Sequence, residues 1–317
     1  MALPSNTFTT YSAVGNREDL ADIIYRIDPT ETPFVSAVEK TDATGVNHEW
    51  QTQALAARDT SNAVLEGDDA TTDAATATAR LGNICQISDK VARVTGTQRV
   101  VKKAGRGDEL DYQSMLKGLE LKLDMDAILC GTNAAKNAGN STTARVTATA
   151  LSWIKTNTSK GGGSGADPSA ADGTGTRTDG TQRAYTEANL KTVLQSIWTQ
   201  GGKPGMIMLG GFNKQVMSTF TGRATPTEDA KSKKITAAVS AYESDFGTLT
   251  ITPSRQVRAR DVLVLQDDMW AIAYLRNMTT TPLAKTGDSD RKQILCEYAL
   301  EARNEKASGG VFDNTTS

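Results

Sequence analysis

Apolar residues recur at helical spacing through the longest uninterrupted pattern of the chain, residues 107–131. Spacings of three and four place one set of side chains on a single helical face: Tyr112, Leu116, Leu119, Leu123 and Ala127. A second apolar stripe consists of Leu121, Met125 and Ile128. We predict a helix over 108–130 whose core residues are Tyr112, Leu116, Leu119, Leu123 and Ile128. A buried aspartate at Leu119 or Leu123 would then abolish folding.

The ends of this predicted helix carry the expected signals. Carboxylates crowd the first turn, where unpaired N–H groups and the positive end of the helix dipole favour negative charge. Gly131 follows the last apolar residue and can adopt the left-handed conformation that ends helices. Gly118 lies in the interior, where glycine costs about 1 kcal/mol against alanine, so we expect close packing there. At about 1.5 Å per residue the helix is a strut of roughly 35 Å.

Before the helix, the pattern alternates with period two over residues 46–53, which predicts a strand. Residues 54–80 contain almost no large apolar side chains and cannot build a core of their own. Strand-like sequence returns at 84–87 and 91–100, so the segment 46–100 is predicted to be a long projecting hairpin. A polar segment of this length between two strands indicates that the segment has a function of its own or binds a partner molecule. Its contact residues are predicted to be Arg58, Asp59, Glu66, Asp68 and Asp69.

The first 45 residues are predicted to form an arm. Residues 1–16 are polar and without periodicity, and a short amphipathic helix with four apolar residues on one face follows and ends at Asp28-Pro29. Two prolines four residues apart then predict that the next piece, residues 30–38, begins extended. Phe34 is predicted to anchor this piece on a neighbouring subunit.

After the long helix, patterns of both periods occur. We predict a strand at 146–151, a flexible Gly/Ser/Thr/Asp segment at 159–183, and a helix from Thr186 to Trp198. A buried strand at 206–209 and a short helix complete a small α/β unit. The remainder is predicted to be strands, at 248–252, at 262–265 and 270–275 as a hairpin, and at 294–302.

Composition narrows the class of protein. The 317 residues carry a formal net charge of −2, so no global field draws the chain to nucleic acid or to an anionic membrane. No run of about 18 apolar residues exists, which predicts no membrane partner. The three cysteines are scattered, which predicts buried thiols in a reducing cytoplasm and neither disulfides nor a zinc site.

Catalytic and cofactor motifs are missing from the sequence. His48 is the only histidine and no G-x-S-x-G elbow accompanies it, so a packed or surface imidazole is favoured over a catalytic one. Neither metal-binding spacings nor a P-loop motif occurs, and we predict no cofactor. Glu120 and Asp124, one helical turn apart, could act as an acid and base pair or hold a metal. We favour structural ion pairs with nearby basic residues.

A basic run leads into the long helix. Its members are predicted to form ion pairs or non-specific contacts with DNA phosphates, and they include Arg99, Lys102, Lys103 and Arg106. The run has no interleaved aromatic residues of the kind that stack on bases, so sequence-specific binding is not indicated.

The order of these parts resembles the major capsid proteins of tailed bacteriophages with the Hong Kong 97-type fold. Three stretches support the resemblance: Arg17-Glu18-Asp19-Leu20; Asp28-Pro29-Thr30-Glu31-Thr32-Pro33-Phe34; and Glu187-Ala188-Asn189-Leu190 through Trp198 to Gly201-Gly202. The resemblance implies an α+β capsid fold with peripheral and axial domains. Its parts would be an N-terminal arm (1–45), an extended loop (46–100), a spine helix (101–141), an axial domain (142–246) and peripheral-domain strands with the C-terminal segment (247–317).

The resemblance also implies function and partners. The chain would assemble with itself, as hexamers and pentamers, into the icosahedral head shell of a virion that encloses double-stranded DNA, after assembly in the bacterial host cytoplasm. The short arm implies a separate scaffolding protein, and a portal and a decoration protein are further partners. Some shells of this fold are locked by a bond from a loop lysine to an asparagine. Residues 52–89 contain no lysine, so we expect no such bond.

Two other functions remain open from the sequence. A hydrolase could use carboxylates such as Glu120 and Asp124, and a fibre or adhesin module could use the Gly-rich segment for recognition. Shell assembly is favoured over both. A hairpin and an arm that find too few packing contacts within one copy should gain stability from contacts with neighbouring copies.

Overall fold

The structure, a computed structural model of the chain, describes residues 29–70, 73–105, 107–220 and 240–317. The predicted amphipathic helix before Asp28 therefore lies outside the described residues. The helices are α1 (Pro33–Ala37), α2 (Gly96–Val100), α3 (Glu109–Gly131), α4 (Ala150–Trp153), α5 (Glu187–Thr199) and α6 (Gly211–Met217). The first strands are β1 (Glu39–Asp42), β2 (Asn47–Thr52), β3 (Ala79–Ile84), β4 (Gln86–Thr95), β5 (Thr158–Ser159) and β6 (Met206–Leu209). The later strands are β7 (Ala241–Ser244), β8 (Gly247–Pro253), β9 (Val262–Leu265), β10 (Trp270–Leu283), β11 (Ser289–Ala302) and β12 (Gly309–Val311).

A four-stranded sheet lies along the long helix α3, in the order β1-β10-β11-β4. The two 14-residue strands β10 and β11 pair antiparallel, and β4 pairs antiparallel with β11. One face of this sheet packs on α3, with Ile294, Cys296 and Tyr298 in the same hydrophobic cluster as Leu121 and Met125. The long predicted strand at 294–302 is confirmed, and it begins earlier, at Ser289.

A six-stranded sheet forms the second layer, in the order β5-β12-β9-β6-β8-β7. The helix α5 packs on it through Leu190, Val193, Leu194 and Ile197. The predicted strand at 206–209 and the predicted helix from Thr186 are confirmed, and Thr186 Oγ1 caps the helix. The side chain of Trp198, near the end of that helix, is exposed.

The predicted hairpin of 262–265 with 270–275 is wrong. β9 pairs with β6 and β12 in the six-stranded sheet, while β10 belongs to the four-stranded sheet. A short 3-10 turn at Asp267–Met269 carries the chain from one sheet to the other. The predicted boundary between domains at 246/247 consequently does not follow the sheets, since β8 and β9 hydrogen-bond with β6.

The buried face of α3 differs from the predicted one. Its bounds agree with the prediction to one residue, and Asp108 caps it by accepting a hydrogen bond from Leu110 N at 2.8 Å. The apolar side chains that it buries are Leu110, Leu121, Met125, Leu129 and Cys130. The predicted core residues are only half-buried: Tyr112, Leu116, Leu119, Leu123 and Ile128. Apolar residues on more than one side of the helix made the choice of face ambiguous.

The two glycines of α3 also behave differently from the prediction. Gly131 is the last helical residue and does not have a positive φ, so it does not end the helix in a left-handed conformation. A Cβ atom there would lie 2.0 Å from the carbonyl oxygen of Gln256, so glycine permits close backbone contact. Gly118 was predicted to be closely packed. Nothing lies within 4 Å of the position that its Cβ would occupy.

The Gly-rich segment 159–183 is folded, contrary to the prediction of a flexible loop. Arg177 is buried and pairs with Asp167 at 2.6 Å, and its guanidinium lies 3.5 Å from the centre of the Phe312 ring. Burial lowers the pKa of Arg177, and the charge is retained because a carboxylate and a carbonyl accept its hydrogen bonds.

The predicted strand at 146–151 is also wrong, since only Val146 makes a bridge and α4 begins at Ala150.

We expect Asp313→Ala to release this segment. The buried Asp313 carboxylate accepts hydrogen bonds from Gly161 N at 3.1 Å, Gly180 N at 2.9 Å and Arg260 Nη2 at 2.8 Å. Its φ of 63° is also unfavourable for alanine. Leaving buried donors unpaired should cost about 3–5 kcal/mol. Thermal unfolding and proteolysis within 159–183 measure the effect. Asp313→Asn, which tolerates this φ and retains an acceptor, should be milder; equal behaviour of both variants would contradict the explanation.

Candidate functional site

The hairpin of β2 and β3 ends in a long exposed segment, which we call the hairpin tip and define as residues 53–78. β2 and β3 pair in register from Asn47 with Ile84 to Thr52 with Ala79, so the predicted hairpin exists but its return strand begins earlier than predicted. The strand predicted at 91–100 belongs to β4 of the four-stranded sheet as far as Thr95, and from Gly96 the chain forms α2. All described residues of the tip are exposed, including its large apolar side chains Leu55, Val64 and Leu65, at 97%, 83% and 79%. Such apolar exposure is typical of a surface that contacts another molecule.

The charged residues predicted as contacts all lie on this tip. They are Arg58, Asp59, Glu66, Asp68 and Asp69, and each is exposed. Asp59 makes a local turn by accepting hydrogen bonds from Ser61 N and Oγ, both at 2.8 Å, and these bonds lower its pKa. The ion pairs found among the described residues include none between these five side chains and another residue. Their charges are therefore directed to solvent in the single chain.

The base of the hairpin is fixed to the body of the protein, mainly through Asn83. This fully buried side chain donates to the carbonyl oxygens of Ala148 (3.1 Å) and Leu300 (2.7 Å) and accepts from the N–H of Ala148 (2.8 Å). Lys136 Nζ adds a bond to the Gly82 carbonyl oxygen at 2.7 Å. A buried amide with all these partners defines one geometry, so the base sets the direction in which the hairpin projects.

His48 contributes to the same base and not to a catalytic site. Its Nε2 lies 3.1 Å from Oε2 of Glu301, which also accepts a hydrogen bond from Thr41. Beside it, the rings of Trp50 and Trp153 are 5.4 Å apart between centroids. No nucleophilic side chain contacts the imidazole among the described residues, and the packed imidazole that we favoured from the sequence is what is found.

Phe34 was predicted as an intersubunit anchor, and its position in the chain's own core contradicts this. Its ring is fully buried against Trp270, with 6.4 Å between ring centroids. Residues 30–38 were predicted to begin extended, and Thr32, with a φ of −125°, precedes the short helix α1 that begins at Pro33. Asp126 of α3 explains the docking, because its Oδ1 accepts from Val35 N at 2.9 Å. Burial raises the pKa of Asp126, and this backbone bond offsets part of that effect.

The carboxylates on α3 form surface ion pairs, as favoured from the sequence. Asp124 pairs with Lys90 at 2.7 Å, and Glu120 pairs with Lys117 at 2.8 Å. Both carboxylates are partly exposed, and cations already neutralise them. Within the described ranges, no three His, Cys, Asp or Glu side chains come together in an arrangement suited to a metal ion.

The basic run before α3 separates into paired and exposed members. Arg99 pairs with Asp108 at 2.6 Å and with Asp290, and its hydrogen bond lowers the pKa of Asp108. The pKa of Asp290 is lowered first by a hydrogen bond from Lys285 and then by the bond from Arg99. Lys103 donates to the carbonyl oxygens of Arg99 and Gly107, while Lys102 is exposed. Arg106 lies outside the described residues. The ion-pair interpretation therefore accounts for Arg99.

Two further expectations concern the cysteines and membranes. Cys85, Cys130 and Cys296 are free and buried, as predicted, and burial raises their thiol pKa values. Among the helices that the structure describes, none combines the length and the apolar character needed to cross a bilayer.

Residues 3–315 match the family described as SU10 major capsid protein. The chain belongs to this family. A major capsid protein of Escherichia phage Phieco32 is 28% identical over 349 residues, which cover 98% of this chain and 98% of that protein.

Solved structures support the fold independently. The Cyanophage A-1(L) capsid asymmetric unit superposes with a TM-score of 0.65 at 13% identity, covering 98% of this chain and 99% of that one. A solved structure from Gordonia phage Cozz superposes with a TM-score of 0.62 at 9% identity, covering 98% of this chain and 96% of that one. At such identities the likeness shows the fold alone. The predicted α+β, Hong Kong 97-type capsid fold is confirmed.

Family membership establishes the broad function. The protein is a structural subunit of the virion, which assembles with itself into the capsid shell of a tailed phage, and it is not an enzyme. The hydrolase and adhesin alternatives are thereby set aside. The folded state of segment 159–183 also removes the flexible recognition loop on which the adhesin hypothesis depended.

Sequence reasoning located the tip but missed Asn83, which fixes the base of the hairpin, Asp126, which docks α1, and Asp313, which holds segment 159–183. Asn83, Asp126 and Asp313 are single polar residues whose partners lie far away in the chain. No local sequence pattern separates these three residues from exposed asparagines and aspartates, because their burial depends on contacts made only in the folded chain.

Proposed function

We propose that the chain forms hexamers and pentamers of an icosahedral head shell that encloses double-stranded DNA. The observation that carries the proposal is the hairpin tip, which extends from a well-anchored base and packs on no other part of the chain that the structure describes. A shell subunit obtains such packing from adjacent copies, so stability and assembly are coupled. The exposed charges Arg58, Asp59, Glu66, Asp68 and Asp69 would be contact residues in this arrangement.

Further partners complete the proposal. A separate scaffolding protein and a portal would direct assembly in the bacterial host cytoplasm, and a decoration protein would bind the finished shell. DNA would be contacted non-specifically, through phosphates, by the exposed Lys102 and by the half-buried Lys103 beside it. The formal net charge of −2 supports weak contacts of this kind over a tight nucleic-acid interface.

Electron microscopy of the chain expressed with and without a scaffolding protein tests the proposal. We expect closed particles of uniform size, with pentameric and hexameric capsomers visible after averaging. Small monodisperse species that persist under all conditions, with an ordered hairpin tip in solution, would contradict it.

We also expect that the mature shell contains no lysine-mediated cross-link through the hairpin. Residues 52–89 contain no lysine, and the arginines cannot replace one because their guanidinium groups remain protonated. Purified particles boiled in detergent should give one band near the monomer mass of 33.7 kDa on a denaturing gel. A ladder of covalent oligomers would show that a lysine outside the hairpin reacts.

A further inference from the structure

The loop between β8 and β9, residues 254–261, ends in a buried carboxylate. Asp261 is 1% exposed, and neither of its carboxylate oxygens accepts a hydrogen bond from the residues that the structure describes. Within the same residues its ion-pair contact is with Arg258, whose Nε lies 3.2 Å from Oδ2 of Asp261. An ionised carboxylate is costly to bury with so few partners, so this environment favours the protonated form.

The cations near Asp261 already have other partners. Arg258 Nη2 donates to both carboxylate oxygens of Asp179, each at 2.6 Å. Arg260 donates to Asp179 at 3.1 Å and to Asp313 at 2.8 Å. These carboxylates compete with Asp261 for the same positive charge. The charged side chains around the Arg258–Asp261 pair are Arg260 on the loop, Arg177 and Asp179 on segment 159–183, and Asp313, which follows β12.

Asp313 provides the contrast within the same cluster. Its carboxylate is buried to the same extent, yet it accepts three hydrogen bonds, from Gly161 N, Gly180 N and Arg260 Nη2. Asp261 has no such donors among the described residues. Hydrogen bonds to the ionised form of a buried carboxylate support its charge, and burial without them opposes it. The two aspartates therefore differ in which protonation state the fold supports.

Burial raises the pKa of Asp261 from its ordinary value of 3.8 to about 6, and the attraction of Arg258 and Arg177 offsets this only in part. In mildly acidic solution the folded chain consequently holds a proton that the unfolded chain has released. The contribution of Asp261 to stability therefore increases as the pH falls through about 6, and it is complete below about 3.8.

Other aspartates of the described chain differ from Asp261 in the sign or the size of this effect. Burial also raises the pKa of Asp126, which therefore acts in the same direction. Asp59, Asp108, Asp167, Asp172 and Asp290 have lowered pKa values, and their contributions are lost mainly as the pH falls below 3.8. Substituting Asp261 alone separates its share from that of Asp126.

Loop 254–261 contacts several parts of the fold. The carbonyl of Gln256 passes so close to the end of α3 that a Cβ atom at Gly131 would lie 2.0 Å from its oxygen. Asn213 of α6 donates to the carbonyl oxygen of Ala259 at 2.7 Å. The ion pairs of Asp179 connect the loop to segment 159–183. A change of charge within this loop therefore acts on the junction of all three.

We propose that Asp261 makes this junction sensitive to protons. The side chain is protonated in mildly acidic solution, which removes a buried charge and tightens loop 254–261 against its surroundings. It is ionised at neutral pH, which loosens the same contacts. The device belongs to the single folded copy and does not rest on the proposed shell arrangement.

Asp261→Asn tests the proposal because it keeps the size of the side chain and removes its charge. We expect the variant to be more stable than wild type at about pH 7.5, although most changes at buried polar residues destabilise. Between about pH 7.5 and pH 5, the unfolding equilibrium constant of wild type should fall about tenfold further than that of the variant. Denaturant titration of both proteins at several pH values measures this difference.

Asp313→Asn is the matched control in the same cluster. It should be less stable than wild type at about pH 7.5, because it removes a charge that three hydrogen bonds support. The two buried aspartates should thus respond with opposite signs. An Asp261→Asn protein that is less stable than wild type at this pH, or that keeps the full pH dependence of wild type, would overturn the proposal.

Two further measurements read the proton and the junction directly. Infrared difference spectra at about pH 5 should show about one more protonated carboxylic acid per chain in wild type than in Asp261→Asn. Hydrogen exchange in residues 254–261 and 177–183, corrected for its intrinsic pH dependence, should be slower in wild type at about pH 5 than at about pH 7.5. In Asp261→Asn the corrected rates should be equal. Absence of the extra carboxylic acid, or unchanged exchange in wild type, would contradict the assignment.

Discussion

Leu129→Asp should abolish the cooperative unfolding transition of the protomer. Leu129 is 0% exposed and lies in the largest hydrophobic cluster, where α3 meets the four-stranded sheet and α4. Removing a buried leucine side chain costs about 2–5 kcal/mol, and an unpaired buried carboxylate adds several more. The free energy of unfolding of a typical protein is about 5–15 kcal/mol, so this single change removes most or all of the stability.

Leu119→Asp provides the matched control on the same helix. Leu119 is only half-buried in the single chain, so its carboxylate can reach water. We expect this variant to keep a native-like melting transition by circular dichroism, although the sequence alone predicted that it would unfold. Comparable loss of structure in both variants would show that the half-exposed face of α3 is also part of the core. A folded Leu129→Asp protein would show that burial of α3 in the core is not required for the protomer to fold.

The contrast between these two residues illustrates what periodicity can decide. The limits of α3 follow from local signals, namely Asp108 as cap, acids in the first turn and apolar spacing of three and four. The choice of face depends on which stripe meets the sheet. With apolar residues on two sides, the sequence favoured Leu119 and Leu123, while tertiary packing buried Leu121, Met125 and Leu129.

The Gly-rich segment was mispredicted for a different reason. Its composition is that of a flexible linker, because it has few side chains that could build a core. Its order comes from polar contacts to the distant residues Asp313 and Phe312 and from the internal pair of Arg177 with Asp167. Contacts between residues so far apart in the chain leave no local periodicity, so pattern analysis cannot detect them.

The sequence predicted where the hairpin lies in the chain, but not the contacts that hold it in place. Polar sequence between two alternating strands identified the hairpin and its exposed tip. The contacts that hold the hairpin are different, because they join residues that only folding brings together. Asn83 hydrogen-bonds to Ala148, and Asp126 hydrogen-bonds to Val35 and so holds Phe34 in the core. The same limit applies to β9 and β10, whose closeness in the sequence suggested a hairpin although they belong to different sheets.

Removing the hairpin tip should abolish shell formation without unfolding the protein. Deleting residues 56–78 and changing Leu55 to glycine leaves three residues between Thr52 and Ala79, which are opposed in the ladder. Three-residue loops that end in glycine close hairpins of this kind. The base should survive because its anchors Asn83 and His48 lie on the retained strands.

The expected loss of assembly follows from the distribution of contacts. Individually, exposed ion pairs of the tip would contribute under about 1 kcal/mol each, so assembly depends on their number and on the apolar side chains beside them. Deletion removes all of them together and should shift sedimentation from particles to protomers, while the melting transition of the protomer stays within a few degrees of wild type. A full-length control with Arg58→Gln alone should still assemble, because it removes one exposed charge from many. If the deleted protein is unfolded, the tip is part of the core; if it still forms closed shells, the hairpin is not the contact that builds them.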